Sequence, residues 1–517
     1  MRYKSGLPHS IRRPGIIGII LLAGGLAAWP QTATPSATSS AESVAASVRD
    51  LQEQVRDLRA IVQEMHAEAA QSRAESADLR RELEAMRTQL AAVPAQGPET
   101  AATSASSRSL EDRVGALEDS SQLLGGKIDE QYQSKVESAS KYRVRLSGIA
   151  LLNLFSNRGS SDNQDVPSYA FAPNPYSSNA NVGATLRQSE IGLEVFGPRL
   201  AGARTSGTVQ ADFSGGFPNA PNGVSNGIFR LRTANMRLDW KDASIVVGQD
   251  NLFFSPSSPS SFASLSVPAF AYAGNLWGWI PQVRAERRFD LANGKLMLQG
   301  AFLDNLTGEP PYTQYGRIPQ AGEQSGQPGY AGRLSWKGKI FGEDLTLGTA
   351  GYYSPQNWGF GRNVDGWATL TDWDISLTHW VALSGEFFRG RALGGLGGGV
   401  GRSVLFAGDP LDPATLVRGL NSIGGWSQLK IKATPKLEFN GGFGLDNPFA
   451  GDVRMFAAAQ SYLDPSISRN FASLVNFVYR PRSNLLFSSE YRRLVTSRIN
   501  NDAYAAGQVN LVMGVLF

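Results

Sequence analysis

The stretch Gln508-Val509-Asn510-Leu511-Val512-Met513-Gly514-Val515-Leu516-Phe517 decides the fold. Val509, Leu511, Met513, Val515 and Phe517 are apolar at every second position, while Gln508, Asn510 and Gly514 are small or polar, with Val512 and Leu516 as exceptions. Side chains two apart share one face of a strand, so one face is greasy and the other is not. A lipid-facing row ending on an interfacial aromatic is what closes a transmembrane β-barrel. The competing reading is the core strand of a β-sandwich, and the upstream sequence weighs against it.

Toward the N-terminus, about sixteen segments have strand character, from Tyr142–Asn157 and Leu186–Phe196 through to Leu485–Leu494 and Tyr504–Phe517. Tight connections such as Ala292-Asn293-Gly294 and Pro435-Lys436 alternate with long polar stretches such as 157–185, 392–420 and 446–469. Short on one side and long on the other is the outer-membrane pattern, with an even strand number when both ends lie on the periplasmic side. The row Val509, Leu511, Met513, Val515 and Phe517 also resembles the C-terminal signature read by the barrel-assembly machinery, and is expected to act as that signal.

Composition agrees. Only 42% of the 517 residues are hydrophobic, and no uninterrupted apolar run of about 18 residues exists, which excludes a spanning helix. The absence of cysteine removes disulfides, thiolate metal sites and lipid attachment through an N-terminal Cys. His9, His66 and His379 are the only histidines, so no metal centre, cofactor or His-based catalysis is expected. An outer-membrane phospholipase would need a His/Ser pair on the barrel exterior, and His379 beside Trp380 reads as an interfacial residue at a strand end.

Alternation assigns the faces. Gln282, Arg284, Glu286, Arg288 and Asp290 share one side of a strand, opposite Val283, Ala285, Phe289 and Leu291, with Arg287 interrupting the apolar row. An Arg at the bilayer midplane costs roughly 2 to 4 kcal/mol, so the charged side must line a wet lumen. The same logic places Arg204, Thr208, Gln210 and Asp212 inside, and likewise Gln428, Lys430 and Lys432. Around Phe229-Arg230-Leu231-Arg232 the apolar phase flips to Met236, Leu238 and Trp240, which requires a bulge or a buried subunit contact near Ala234. The stretch 255–280 carries Phe262, Phe270, Tyr272, Trp277 and Trp279, too many rings for a freely waving loop. It reads either as a constriction folded into the lumen or as packing at a subunit axis or in an extracellular cap. From Lys141 onward there are 34 Lys and Arg against 27 Asp and Glu, a surplus of seven. Inner-row cations would favour anions; pairing with lumen carboxylates would instead give a general pore.

The N-terminal part is organised differently. Residues 1–37 read as an export signal, with Arg2, Lys4, Arg12 and Arg13 before the apolar stretch Ile16 to Ala28. Over 41–93 apolar or small residues recur at steps of four and three, from Val44 and Val48 to Leu90 and Val93, the seam of a periplasmic coiled coil. About 50 such residues at about 1.5 Å each would reach about 75 Å. Residues 94–109 read as a linker and 110–135 as a second short coil. There Arg113, Val114, Leu117 and Glu118 resemble the Arg-h-x-x-h-Glu motif (h apolar) of trimeric coiled coils. The alternatives are a dimer or a single helix packed on other protein.

The layout resembles that of the DcaP-like trimeric outer-membrane porins. Local matches run in family order over 141–290: Leu186-Arg187-Gln188-Ser189 with Gly192, Asp212-Phe213 with Gly215, Phe229-Arg230-Leu231-Arg232 with Ala234, Val247-Gly248-Gln249, and Pro281-Gln282-Val283-Arg284. After Gly248-Gln249 the sequence departs from the family's pattern. The resemblance implies a coiled coil ahead of a sixteen-stranded barrel, homotrimers, and passive diffusion favouring small anions such as dicarboxylates. Expected partners are outer-membrane lipid and lipopolysaccharide, the barrel-assembly machinery, and a periplasmic or cell-wall contact through the coil; nucleic acid is not among them. The rival reading is a structural anchor whose coil reaches toward the cell wall. A trimeric autotransporter adhesin is disfavoured, because its chains contribute only a few strands each.

Overall fold

The computed structural model describes residues 143–517 except 177, 218–226, 292, 310–316, 341 and 457–463. The expected signal, both coils, the linker and the Arg113, Val114, Leu117 and Glu118 motif lie outside the described residues. Among the described residues no helix is long and apolar enough to cross a membrane. The fold is a closed antiparallel barrel of sixteen strands.

In chain order the strands are β1 (Arg143–Arg158), β2 (Ala180–Thr185 and Glu190–Leu200), β3 (Ala203–Asp212), β4 (Arg230–Asp239), β5 (Ala243–Asn251), β6 (Trp279–Leu291), β7 (Gly294–Leu303) and β8 (Gly329–Ile340). The second half comprises β9 (Glu343–Asn357), β10 (Asn363–Thr378), β11 (Val381–Arg391), β12 (Asn421–Thr434), β13 (Leu437–Pro448), β14 (Ile467–Arg482), β15 (Leu485–Arg498) and β16 (Ala503–Leu516). Each strand pairs with its sequence neighbours, and β1 closes the ring on β16 from Ile149 opposite Leu516 to Arg158 opposite Gly507. Phe517 completes the seam by exchanging backbone hydrogen bonds with Gly148 at 2.9 and 3.1 Å. A full circuit leaves no unpaired strand edge, the condition for backbone to survive in hydrocarbon.

At the end that holds Arg143 and Phe517, strands join through connections of two or three residues, as at 201–202, 379–380 and 483–484. The opposite end carries the long connections 159–179, 252–278, 304–328 and 392–420. One departure from the sequence reading is in β2. Residues 180–185 already pair with β1, and a turn at 186–189 interrupts the strand where Leu186 was expected to begin it.

The outer wall is apolar. Val509, Leu511, Met513 and Val515 of β16 stand exposed beside Phe487 and Tyr491 of β15 and Leu154 of β1. The inner wall alternates with it and is largely polar: Asn153, Asn510, Gln508, Asn476, Glu490 and Arg492 are all buried. Val512 and Leu516, the exceptions in the terminal strand, point inward and pack with Ile149, Leu151 and Leu486 against Phe262, Ala263 and Leu265 of the connection 252–278. That connection therefore lies inside the barrel.

Candidate functional site

The inner wall is built by strand alternation plus one bulge. Gln210 of β3 pairs with Thr233 of β4 and Ala211 pairs with Leu231, which leaves Arg232 as the extra residue. The inserted residue is the bulge expected near Ala234: it resets the phase so that Leu231 and Met236 both face outward and are exposed. Arg230 and Arg232 thereby converge on β2 and β3. Arg230 grips Asp212 with two bonds of 3.0 and 2.6 Å, and Arg232 pairs with Glu190 and stands 3.9 Å from Asp212. Both guanidiniums lie over the ring of Trp279, at 4.8 and 4.9 Å from its centroid, the geometry in which an aromatic face attracts a cation.

A second cluster centres on Glu286 of β6. It receives Arg284 at 2.9 Å and Arg237 at 3.0 Å, with Arg288 at 3.7 Å. Arg284 also reaches Asp250 at 3.1 Å, and Arg237 reaches Asp239 at 2.8 Å. Further round, Arg333 of β8 holds Asp372 of β10 through bonds of 3.1 and 2.6 Å. This pair reaches across β9 at Gly348, where a methyl group would collide with both side chains. Arg492 pairs with Glu490 on β15 at 2.6 Å. In each cluster acids match bases in number, so the paired arginines form a nearly neutral wall. Breaking a buried pair by removing one partner costs roughly 3 to 5 kcal/mol, which makes that wall stiff.

Three inner-row cations named from the sequence stand apart. Arg204, at the turn end of β3, is exposed on the Asp212 side of its strand, and Lys430 and Lys432 follow Gln428 on the inner face of β12. Among the described residues no carboxylate lies within 4 Å of any of them. Glu438 is the register partner of Lys432, but its ion pair is with Arg480 at 3.6 Å. Asp374 of β10 is an exposed inner-row carboxylate toward the same end.

Loop 252–278 crosses the lumen from β5 to β6 by way of the opposite wall. Phe253, Phe254 and Leu276 pack on Tyr352, Leu370 and Phe388 of β9 to β11, with Phe254 stacked on Tyr352 at 5.3 Å. Polar anchors fix its middle. The Ser260 amide donates to Gln428 Oε1 at 2.7 Å, Asn476 Nδ2 donates to the Ser260 carbonyl at 2.8 Å, and Gln188 Nε2 donates to the Ala263 carbonyl at 3.1 Å. Phe270 is buried against Trp426, Leu474 and Leu494, and Asn470 Nδ2 donates to the Tyr272 carbonyl at 3.0 Å. Phe270 and Tyr272 both adopt positive φ, 61° and 59°, a costly state for bulky residues that these contacts hold in place. Gly274 (φ 101°) presses onto the backbone of β12 and β13 at Gly425 and Leu445.

The five rings named from the sequence do not act alike. Phe262 and Phe270 are wall-packed, and Trp279 is the first residue of β6, beneath Arg230 and Arg232. Tyr272 and Trp277 meet edge-on at 6.2 Å, and Trp277 meets Trp279 at 5.5 Å. Two other connections, within the long polar stretches 157–185 and 392–420, join them. Tyr169 of 159–179 lies 5.4 Å from Tyr272 and donates its hydroxyl to the Val400 carbonyl at 3.3 Å, and the Trp277 amide donates to the Leu396 carbonyl at 3.1 Å. The Gly-rich run 394–401 permits that close approach. The pairs Arg333–Asp372 and Arg492–Glu490 also went unnamed, although alternation within their segments puts all four residues on inner rows.

A barrel greasy outside, charged inside and crossed by a loop defines the class of transmembrane β-barrels. No family model matches the chain, and no curated protein matches it. Among solved structures the chain is similar to the outer-membrane channel DcaP of Acinetobacter baumannii, with a TM-score of 0.56 and 15% identity over 74% of this chain and all of that one. It also aligns with Pseudomonas putida OprB (TM-score 0.44, 10% identity, 76% and 97% covered) and with an anion-selective porin from Comamonas acidovorans (0.43, 9%, 73% and 100%). The resemblance drawn from local matches is thus met at the level of the barrel fold.

Proposed function

We propose that this chain is an outer-membrane porin, a passive aqueous channel for small hydrophilic solutes that favours anions such as dicarboxylates. The observation that carries the reading is the wall itself, apolar outside and lined inside by charged and amide side chains. Loop 252–278 is the constriction, because it is bonded to the far wall. In this reading Arg204, Lys430 and Lys432 set the sign of the preference, since Arg230, Arg232, Arg284 and Arg288 each lie within 4 Å of a carboxylate. Glu286, Asp212, Arg230, Arg232, Arg284 and Arg288 shape and stiffen the lumen. The Arg113 to Glu118 motif supports a homotrimer.

Planar-bilayer recording on the purified full chain tests this. The expected result is stepwise conductance and, under a potassium chloride gradient, a reversal potential of the sign given by chloride. Electrical silence would instead support the anchor reading, and a cation-signed potential would remove the anion preference while leaving the channel.

A further inference from the structure

We infer that the outer wall carries a groove for one acyl chain of an anionic membrane lipid, its phosphate held by Arg389 and Arg391. The inference rests on the membrane placement proposed above. Across β6 to β9 the outward residues Ala285, Gly300, Gly332 and Gly351 fall in one register row, forming a floor almost without side chains. The adjacent row toward the loop side is aromatic: Phe302, Tyr330, Tyr353 and Trp367, again register partners. Between them lies a depression of about 800 Å³ with an almost wholly apolar lining. Space beyond Gly300 and Gly351 is open, with no atom within 4 Å of a would-be Cβ. Isotropic solvation by lipid tails does not call for a furrow one row wide, but an ordered acyl chain fills one.

Charge complementarity selects the lipid. Strands of such barrels tilt by about 35 to 45°, so a trough running across them descends obliquely into the hydrocarbon. Its floor row continues through Thr369 to Arg389, and its aromatic row ends at Arg391, the last residue of β11 on the loop side. The Arg389 guanidinium lies over Trp367 at 5.3 Å and over Phe449 at 4.3 Å, and its Nη1 donates to the carbonyls of Gly390 and Ser422. Among the described residues neither arginine has a carboxylate within 4 Å. Arg389 stands outward, and Arg391 packs its Nε, which has no hydrogen-bond partner, beside Gly419 at the loop-side rim. Two cations without carboxylates at the headgroup end of an apolar furrow match a phosphate followed by its chain.

Native mass spectrometry of the full-length protein, incubated with dimyristoyl phosphatidylglycerol or dimyristoyl phosphatidylcholine, tests the site. The wild type should retain one phosphatidylglycerol per chain and prefer it to phosphatidylcholine by about tenfold. Arg389→Gln with Arg391→Gln should abolish the preference. Gly351→Leu, whose side chain enters the furrow without meeting the wall, should abolish retention of both lipids. Equal retention of the two lipids by the wild type, or undiminished retention by Gly351→Leu, overturns the proposal. If Gly351→Leu changes the number of chains per particle and leaves lipid retention intact, the furrow is a contact with a second copy and the lipid site is overturned. Conductance of the same preparations separates the two readings: a conducting wild type that retains no lipid overturns only the groove, and a silent one that retains lipid overturns only the channel.

Discussion

Gly274 shows how much one missing methyl group decides. Its backbone lies against Gly425 and Leu445, and φ at 101° is disfavoured for any residue with a Cβ. Gly274→Ala should unseat the loop by roughly 1 to 3 kcal/mol, the range for overpacking and local strain. The barrel stays closed, so the effect is read as new protease cleavage within 252–278 and altered single-channel conductance; neither changing would refute the account of how the loop is held. At this scale the sequence is legible where alternation alone decides, as for Arg284, Glu286 and Asp212. It is silent about Val512, whose inward apolar side chain makes sense only once Ala263 is known to face it. The Arg333–Asp372 pair was out of reach for a related reason, since its partners are on strands separated by β9.

Among the elements, the connection 159–179 is organised around the carboxyl of Asp162. Asp162 Oδ1 accepts the amides of Ser168 and Tyr169, both at 2.8 Å, and so presents Tyr169 to Tyr272 and Val400. Desolvation by the surrounding loop pushes the carboxyl above its ordinary value, and the backbone amides oppose that only in part. A carboxyl raised on folding favours the folded loop below its unfolded value, and that contribution is lost as pH rises through the raised one. Asp162→Asn keeps the acceptor and removes the charge. The variant should therefore protect this connection from proteolysis more than wild type does at pH 7, with the difference vanishing at pH 3; an equal difference at both pH values would exclude a charge origin. Strands were readable from period two to within a few residues, and the bulge at Arg232 from the flip of phase. The inward folding of 159–179 and 392–403 was not, because Gly and Ser runs look alike whether they face water or a neighbouring loop.

For the molecule as a whole, charge arithmetic from composition gives a surplus of seven over residues 141–517 without saying which cations stand free. Asp212, Glu190, Glu286, Asp372 and Glu490 each hold an arginine of the inner wall, so the field in the lumen is set by the cations left over. Replacing Arg204, Lys430 and Lys432 together by Glu should move the reversal potential toward the cation sign. Replacing the matched pair Arg333→Gln with Asp372→Asn should leave it unchanged. The opposite pattern in the two measurements would return selectivity to the paired clusters.

The seam of β1 on β16 joins residues at opposite ends of the described sequence, Ile149 to Leu516. Loop-closure entropy makes such a junction the last to be gained, after every hairpin of neighbouring strands has zipped. Assembly is therefore gated by one late docking event. Until it occurs, two open strand edges stay exposed to wrong partners, and an escort that caps them would keep the half-built cylinder from aggregating.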